Sequence, residues 1–508
     1  MSQAARYRPQ PVDHEREFRI DELFFSLTDS KGKITFANEV FTRLSGWKEN
    51  ELVGSPHNII RHPDMPRAVF YLMWEYLKAG KSFVGYVKNM AKDGAYYWVI
   101  ALVFPCSGGY FSIRLKPGSK NFAYIRKLYL RMLSEEREYA EQKDDKRGMM
   151  SAVDLFSRQL KQDGFENYET FMWKALEDEM RFREEGLKRQ NFSRKNREDA
   201  VPEKILLFES HLTGLFEQLK SLKELHGKLT EHSQYILKLS RTIRLLSLNA
   251  QVGSSRMDGD GASLSAVAGQ MGEQSMGGER MLADMQKHIT SLSKLLDKMN
   301  FDIITAKLQV EMSTVFMNEV HSNGEDSYRS DIPVSGVLKN LQKAFAPRLL
   351  LVADEVGRIP SSLRDLRTRV YEIERFLYVL RFIHSAGKIE VARLQDATSF
   401  ANTFAELIRE VNTADDKLKE LTGYVERNQQ MNNTFLESER VLSAAKEFTD
   451  RYAKESDSET DQQETDRKGA VPVKSDDSGY REEGHEGNET PPADQEELVA
   501  LEEDPDDF

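Results

Sequence analysis

The chain has 508 residues, of which 39% are hydrophobic and 30% are charged, with 83 acidic and 71 basic residues. It has no run of about 18 apolar residues and no apolar core behind its first residue, so we expect neither a transmembrane helix nor a secretory signal, and a cytoplasmic protein. Its single cysteine, Cys106, excludes an internal disulfide framework and a cysteine-based metal cluster, and its place at the end of an apolar run favours a buried, inert thiol.

Residues 18–117 predict a small α+β domain behind an N-terminal arm, residues 1–17. Two strands, a helical middle and three strands in a meander follow one another, with a turn at Asp93-Gly94 between two of the strands. This order predicts an antiparallel sheet with helices against one face and a pocket between them. The predicted strands lie at residues 23–28, 34–38, 83–90, 96–103 and 110–113.

The stretch Asn58–Pro66 is the most distinctive part of this domain. It places a cation, Arg61, an imidazole, His62, and a carboxylate, Asp64, within four residues and beside two prolines. Because each proline fixes its own φ and disfavours helix at the residue before it, these side chains are displayed on a rigid loop ahead of a new helix. Taken alone, the pattern is more typical of a helix stop with a charged surface. Its surroundings favour a recognition loop.

These surroundings resemble the PAS domain of the aerotaxis (energy-taxis) transducers. The resemblance covers about a hundred residues, and its most specific piece is Arg-His-Pro-Asp-Met-Pro at residues 61–66. In that family the pocket holds FAD non-covalently, and the redox state of the flavin is the signal. The resemblance therefore implies that Arg61, His62 and Asp64 help to hold the flavin. It also implies four residues around the ring system: Asn38, Trp74, Asn89 and Trp98.

The chemistry of these residues is compatible with a flavin site. A flavin gains negative charge at its pyrimidine edge on reduction, so nearby donors or cations set its potential, while aromatic walls cover its faces. Arg61 or His62 could supply the donors, and Asn89 could bond the polar edge. Trp74 and Trp98 could equally be core residues. No GxGxxG follows a predicted strand, which excludes a Rossmann-type site, and no base is positioned for substrate chemistry, so we do not expect an enzyme.

Beyond residue 118 the sequence becomes helical, beginning with a charged linker at residues 118–201. From Ile205, apolar residues recur at alternating steps of three and four, which predicts a coiled-coil seam. Residues 245–268 then resemble the cytoplasmic hairpin tip of methyl-accepting chemotaxis proteins, although Gly253 stands where that family has Glu. In the family the tip binds a histidine kinase and its coupling protein. The resemblance implies that role for Asn249 and Arg256.

A second, fainter copy of the tip lies at residues 380–393 and implies the same role for Glu390 and Arg393. We expect this one chain to supply both hairpins of a pseudo-symmetric four-helix bundle, where a chemoreceptor dimer uses two identical hairpins. A homodimer, or two amphipathic hairpins that share a pattern by chance, are the alternatives. The helical part would divide into hairpin 1, with its tip near Gly259, a connector and hairpin 2, at residues 202–320, 321–333 and 334–454.

The negative net charge belongs to the end of the chain. Residues 455–508 contain 20 acidic and 4 basic residues, a net charge of −16, so the other 454 residues carry −12 + 16 = +4. This segment has little to bury and is predicted to be a disordered acidic tail. The slightly positive remainder has no concentrated basic stripe, so we expect no nucleic-acid partner.

Three function classes fit this sequence. A cytoplasmic redox sensor, with FAD in a PAS domain and a chemoreceptor-like helical output, explains both resemblances and is favoured. A coiled-coil scaffold or adaptor with a vestigial PAS pocket is the second class, and a colourless purified protein would support it. A flavoenzyme is the third, and its signature would be substrate-dependent turnover.

Overall fold

The computed structural model describes residues 9–190, 201–255, 261–324, 328, 333–393, 398–448 and 450–451. In these residues the chain forms a five-stranded antiparallel sheet with short helices, followed by long helices, which confirms the predicted fold class. The predicted acidic tail, the tip residue Arg256 and the tip position Gly259 lie outside the described residues. None of the described helices is long and apolar enough to cross a membrane.

The sheet has the strand order β2-β1-β5-β4-β3. The longest strand, β4, is built from aromatic and β-branched residues, the types that strands favour. In the turn before β4, Gly94 has a φ of +89°, and a Cβ there would lie 2.0 Å from the carbonyl oxygen of Gln10, so the turn requires glycine. The strands are β1 (Phe24–Asp29), β2 (Ile34–Ala37), β3 (Phe83–Met90), β4 (Tyr96–Cys106) and β5 (Gly109–Leu115).

Short helices connect β2 to β3 and cover one face of the sheet. The longest of them, α3, begins directly after Pro66, a residue that suits a helix start because it lacks the backbone N–H that would go unpaired there. Its side chains at steps of three and four face the sheet. These elements are α1 (Glu39–Ser45), α2 (Glu49–Leu52), a 3₁₀ turn (His57–Ile60) and α3 (Arg67–Lys78).

Beyond β5 the described chain is mainly helical. It comprises α4 (Lys120–Glu141), α5 (Asp145–Gln162), α6 (Tyr168–Arg189), α7 (Glu203–Ser254), α8 (Ala262–Asn323), α9 (Val334–Gly357), α10 (Ile359–Arg393), α11 (Thr398–Gln430) and α12 (Asn432–Ser443). Helices α7 and α8 pack along each other, as do α10 and α11. The two pairs then pack side by side, with Lys228 of α7 against Glu420 of α11 and Arg369 of α10 against Asp284 of α8. One chain thus supplies four helices of a bundle.

Helix α8 joins this bundle to the sheet. Residues 299–314 of α8 are buried on every side, as expected of a helix that passes through the centre of a larger assembly. Just beyond them, the Phe316 ring lies 5.1 Å from that of Phe25 and 5.4 Å from that of Phe36, on the sheet. The sheet therefore rests directly on a helix that runs on into the bundle.

Candidate functional site

A cavity lies between α3 and the face of the sheet that α3 covers. The space between these elements is about 710 Å³, part of which is open solvent at the mouth of the cavity. Its walls come from alternate residues of the strands and one face of α3, and it has no Asp or Glu among its lining residues. Six of the residues that line it are Trp74, Asn89, Val103, Tyr110, Ser112 and Arg114.

Arg61 lies at this cavity because its loop is bound to the sheet. The backbone of Arg61 forms an isolated bridge with Asn89 of β3, and the His62 N–H donates to the carbonyl of Lys88 at 3.3 Å. The Arg61 guanidinium lies 4.7 Å over the ring of Phe70 and donates to the Met65 carbonyl at 3.3 Å. The loop before α3 thus presents one cation to the cavity.

His62 and Asp64 do not line the cavity. Their contacts are with the loop itself, with Lys88 of β3 and with Arg137 of α4. His62 is buried, and its Nδ1 accepts a hydrogen bond from the Asp64 backbone N–H at 3.0 Å. Burial, aided by Lys88, lowers the pKa of His62 to about 4, so its ring is neutral near pH 7. The Asp64 carboxylate pairs with Lys88 at 3.2 Å and with Arg137 of α4 at 3.1 Å. Neither side chain lines the cavity in this structure, and their direct contact with a ligand stays a prediction.

Asn89 and Trp74 do line the cavity, as the sequence predicted. The Asn89 side chain is buried, and its Nδ2 has no hydrogen-bond partner in the structure. An unpaired buried amide costs about 1–3 kcal/mol, and this one is available to an acceptor inside the cavity. Trp74 is half-buried and lies edge-on to Tyr110, with ring centroids 5.2 Å apart.

Trp98 lies on the opposite face of the sheet from the cavity. In the register of β3 and β4, Trp98 pairs with Lys88, whereas Asn89 pairs with Tyr97. Because successive side chains of a strand alternate between faces, Trp98 and Asn89 point to different sides. Trp98 packs against Phe122 of α4 at 5.4 Å. In this structure Trp98 therefore belongs to the core between the sheet and α4.

Asn38 is also absent from the cavity wall, and it connects the sheet to α8. It is buried at the start of α1, where its Oδ1 accepts from the Phe25 N–H at 3.1 Å and its Nδ2 donates to Glu319 Oε2 at 2.9 Å. Glu319 Oε1 accepts from the Glu39 N–H at 2.7 Å and the Tyr328 hydroxyl at 2.7 Å. Burial raises the pKa of the Glu319 carboxyl. We call these residues (Asn38, Glu39, Glu319 and Tyr328) the Glu319 latch.

Sequence reasoning missed Arg114 and His57, which meet at the cavity wall. Arg114 Nη2 lies 2.6 Å from His57 Nε2, and Nη1 donates to Ser26 Oγ at 3.1 Å. Burial and the neighbouring Arg114 lower the pKa of His57 to about 3, and burial lowers that of Arg114 to about 10. The sequence does carry one signal of this arrangement. Ser112 and Arg114 are two residues apart in a strand that is otherwise apolar, so both side chains point to the same face of the sheet.

The predicted tip residues are only partly described. Asn249 is exposed near the end of α7. Glu390 and Arg393 belong to the last turn of α10. No group of His, Cys, Asp and Glu side chains in the described residues could hold a metal ion. Burial raises the pKa of Cys106 to about 11, in agreement with an inert thiol.

The comparison with known families decides the nature of the sheet domain. Residues 34–109 match the family described as PAS fold. The N-terminal domain is a PAS domain. The match begins at β2 and ends at Gly109, the first residue of β5, so it includes the loop of Arg61, β3 and β4, but neither β1 nor the cavity-lining residues of β5.

Three curated proteins are similar to part of this chain. The aerotaxis receptor of Escherichia coli (strain K12) is 43% identical over 114 residues, which are 22% of each chain. The biofilm dispersion protein BdlA of Pseudomonas aeruginosa is 33% identical over 82 residues, 16% of this chain and 20% of the relative. The nitrogen fixation regulatory protein of Klebsiella pneumoniae is 32% identical over 74 residues, 15% of each. The chain therefore spans about a fifth or less of the curated relatives it matches.

Proposed function

We propose that the protein is a cytoplasmic redox or energy sensor whose PAS domain binds FAD and passes the redox state of the flavin to the helical bundle. The observation that carries this proposal is the free Nδ2 of Asn89 at a cavity whose lining residues include two arginines and no Asp or Glu. Such a wall suits a ring with acceptors along one edge. Similarity to a protein named an aerotaxis receptor supports the same reading.

The residues at the cavity fit a flavin. Asn89 would donate a hydrogen bond to the polar edge of the flavin ring, and Trp74 and Phe70 would pack on the ring. Arg61 would bind negatively charged groups of the cofactor. When bound, the flavin supplies reversible electron uptake, with negative charge growing at its pyrimidine edge. His62 and Asp64 would act indirectly, by holding the Arg61 loop against Lys88.

The Glu319 latch offers a route from the PAS domain to the bundle. A change at β1 or at the start of α1 alters the groups that Glu319 binds, and Glu319 belongs to α8, which continues to the region of the tips. We propose that a chemotaxis histidine kinase and its coupling protein bind there, through Asn249, Arg256, Glu390 and Arg393. The bundle would need no second copy of the chain.

A scaffold or adaptor in a chemosensory complex is the second candidate. Several large apolar side chains of α7 and α10 are more than half exposed, and such surfaces mark protein contacts. They include Leu248, Val252, Tyr378 and Phe382. This candidate requires no ligand in the PAS cavity.

An absorption spectrum of the purified full chain, incubated with FAD and desalted, separates these candidates. We expect the bands of an oxidised flavin, bleached by dithionite, and FAD as the flavin released on denaturation. A colourless protein would favour the scaffold, and release of FMN would correct the cofactor alone.

A matched pair of variants tests the site. Asn89→Ala removes the free amide, and we expect at least tenfold weaker FAD binding with little change in melting temperature. Asn38→Ala removes an equally buried asparagine that binds the backbone and Glu319, and we expect a lower melting temperature with FAD retained. Equal FAD affinity in wild type and Asn89→Ala would refute the assignment of this wall.

A further inference from the structure

Arg114 is a buried cation without an acidic partner in the described chain. Its side chain is 3% exposed, and its hydrogen bonds go to neutral acceptors: Ser26 Oγ at 3.1 Å, the Ser112 carbonyl at 3.3 Å and His57 Nε2 at 2.6 Å. The rings of Phe41 and Phe24 lie 5.1 and 5.9 Å from its Cζ. These contacts satisfy donors, but none of them carries a negative charge.

A full positive charge in such surroundings is unfavourable. Removing an ion from water is costly even after the surrounding protein relaxes, and a cation–π contact recovers only part of that cost. His57 does not supply the missing negative charge. Its Nε2 accepts a hydrogen bond from Arg114, so its ring is the neutral imidazole. The protein therefore holds Arg114 at a free-energy cost that its own described residues do not offset.

Arg61, the other cation of the cavity, is in a different situation. Burial raises the pKa of Glu136 and the nearby Arg61 opposes that rise, so Arg61 has a carboxylate in its surroundings. No acidic residue lines the cavity itself. Arg114 thus faces a space that can accept negative charge only from a ligand.

We infer that Arg114 is the counter-cation for the negative charge that a reduced flavin carries in this cavity. This inference rests on the proposed flavin site. Full reduction adds two electrons and one proton to a neutral ring, so the ring then carries a charge of −1; in the experiment below the electrons come from dithionite and the proton from water. Arg114 would bind the reduced form more tightly than the oxidised form and so raise the midpoint potential.

A redox titration of the FAD-loaded full chain tests this role. Arg114→Met should keep oxidised FAD within a few-fold of wild-type affinity but lose about 100-fold in affinity for the reduced form relative to the oxidised form. At 29.6 mV per tenfold for a two-electron couple, this is a midpoint potential about 60 mV lower. Arg114→Lys retains the charge and should stay within about tenfold of the wild-type ratio.

The control removes the same charge from the other face of the sheet. Arg126 is exposed, and its Cζ lies 5.9 Å over the ring of Trp98. Arg126→Met should leave the reduced-to-oxidised affinity ratio within threefold of wild type. If Arg126→Met and Arg114→Met lowered the ratio equally, the effect would be one of net charge, and the assignment of Arg114 would be wrong.

The flavin-free protein provides a second readout that a structural role would not give. Because Arg114→Met removes an uncompensated buried charge, the melting temperature of the flavin-free protein should stay the same or rise. A lower melting temperature together with an unchanged affinity ratio would make Arg114 a structural hydrogen-bonding residue. Arg114→Gln carries the same predictions if the Met variant does not fold.

The outcomes separate this inference from the proposal beneath it. If the wild type takes up no FAD, the proposed function fails and the inference fails with it. If the wild type binds FAD and Arg114→Met has the wild-type potential, the inference alone is overturned.

Discussion

The two faces of the PAS sheet are built from the same strands but have opposite character. On the cavity face, Asn89 and Arg114 leave a donor and a charge without full compensation. On the other face, Phe25, Phe111 and Phe104 form a stack with centroids 5.1 and 5.2 Å apart, and α8 covers it with Phe316. One face has the chemistry of a ligand site and the other that of a protein core, so a signal need cross only one layer of backbone.

Strand β1 contacts both the cavity and the output helix through adjacent residues. Ser26 accepts a hydrogen bond from Arg114 on the cavity side. Its neighbour Phe25 packs on Phe316 on the other side, and the Phe25 N–H donates to Asn38 of the Glu319 latch. Adjacent residues of one strand therefore contact the cavity and the output helix, which makes the contrast between the faces testable.

The largest expected effect comes from breaking the packed face. Phe316→Ala removes a fully buried ring that contacts Phe25 and Phe36, and we expect a loss of about 3–5 kcal/mol in the free energy of unfolding. Urea unfolding followed by tryptophan fluorescence measures it. Phe382→Ala is the control, because Phe382 is 71% exposed and should change stability by no more than about 0.5 kcal/mol. Similar losses in both variants would contradict the packing described.

An intermediate effect is expected from pH on the cavity face. The folded protein lowers the pKa of His57 from 6.5 to about 3, so the unfolded chain binds the extra proton between these values. The contribution of His57 to the free energy of unfolding is therefore fully present above pH 6.5 and is lost as the pH falls toward 3. His57 should contribute a loss of roughly 2 kcal/mol between pH 7 and pH 5.

The variant His57→Gln isolates this contribution. Glutamine can still accept a hydrogen bond from Arg114 but does not titrate. The difference in unfolding free energy between wild type and variant, measured at pH 7 and at pH 5, should shrink by the same roughly 2 kcal/mol. A pH dependence identical in both proteins would show that His57 is not the titrating group.

The smallest effect sharpens the link between the faces. Glu319→Gln keeps the size of the side chain but leaves one acceptor oxygen for the N–H groups of Asn38 and Glu39, so we expect a loss of about 1–2 kcal/mol. Hydrogen exchange should accelerate in the first turn of α1. Unchanged exchange there would mean that the latch does not hold α1.

Much of this architecture could be predicted from the sequence, because it rests on local signals. The turn at Gly94, the start of α3 after Pro66 and the strands follow from backbone chemistry at single positions. The faces were harder to assign. The run Tyr96–Val103 is apolar throughout, so it carries no alternation that would have placed Trp98 away from Asn89.

Other predicted site residues have partners that are distant in sequence. Asn38 donates to Glu319 of α8. Asp64 pairs with Arg137 of α4. The role of a polar loop residue depends on the partner that folding places beside it. A single sequence does not reveal a partner that is far away along the chain.

The distance along the chain between the two halves of the Glu319 latch also sets a timetable for biosynthesis. Asn38 and Glu319 are 281 residues apart. At roughly 5–20 residues per second, a ribosome needs about 14–56 s to travel from one to the other. Throughout that interval the aromatic face around Phe25 and Phe36 has no Phe316 to cover it. The nascent PAS domain therefore exposes a hydrophobic surface, and we expect chaperones to bind it until α8 has been synthesised.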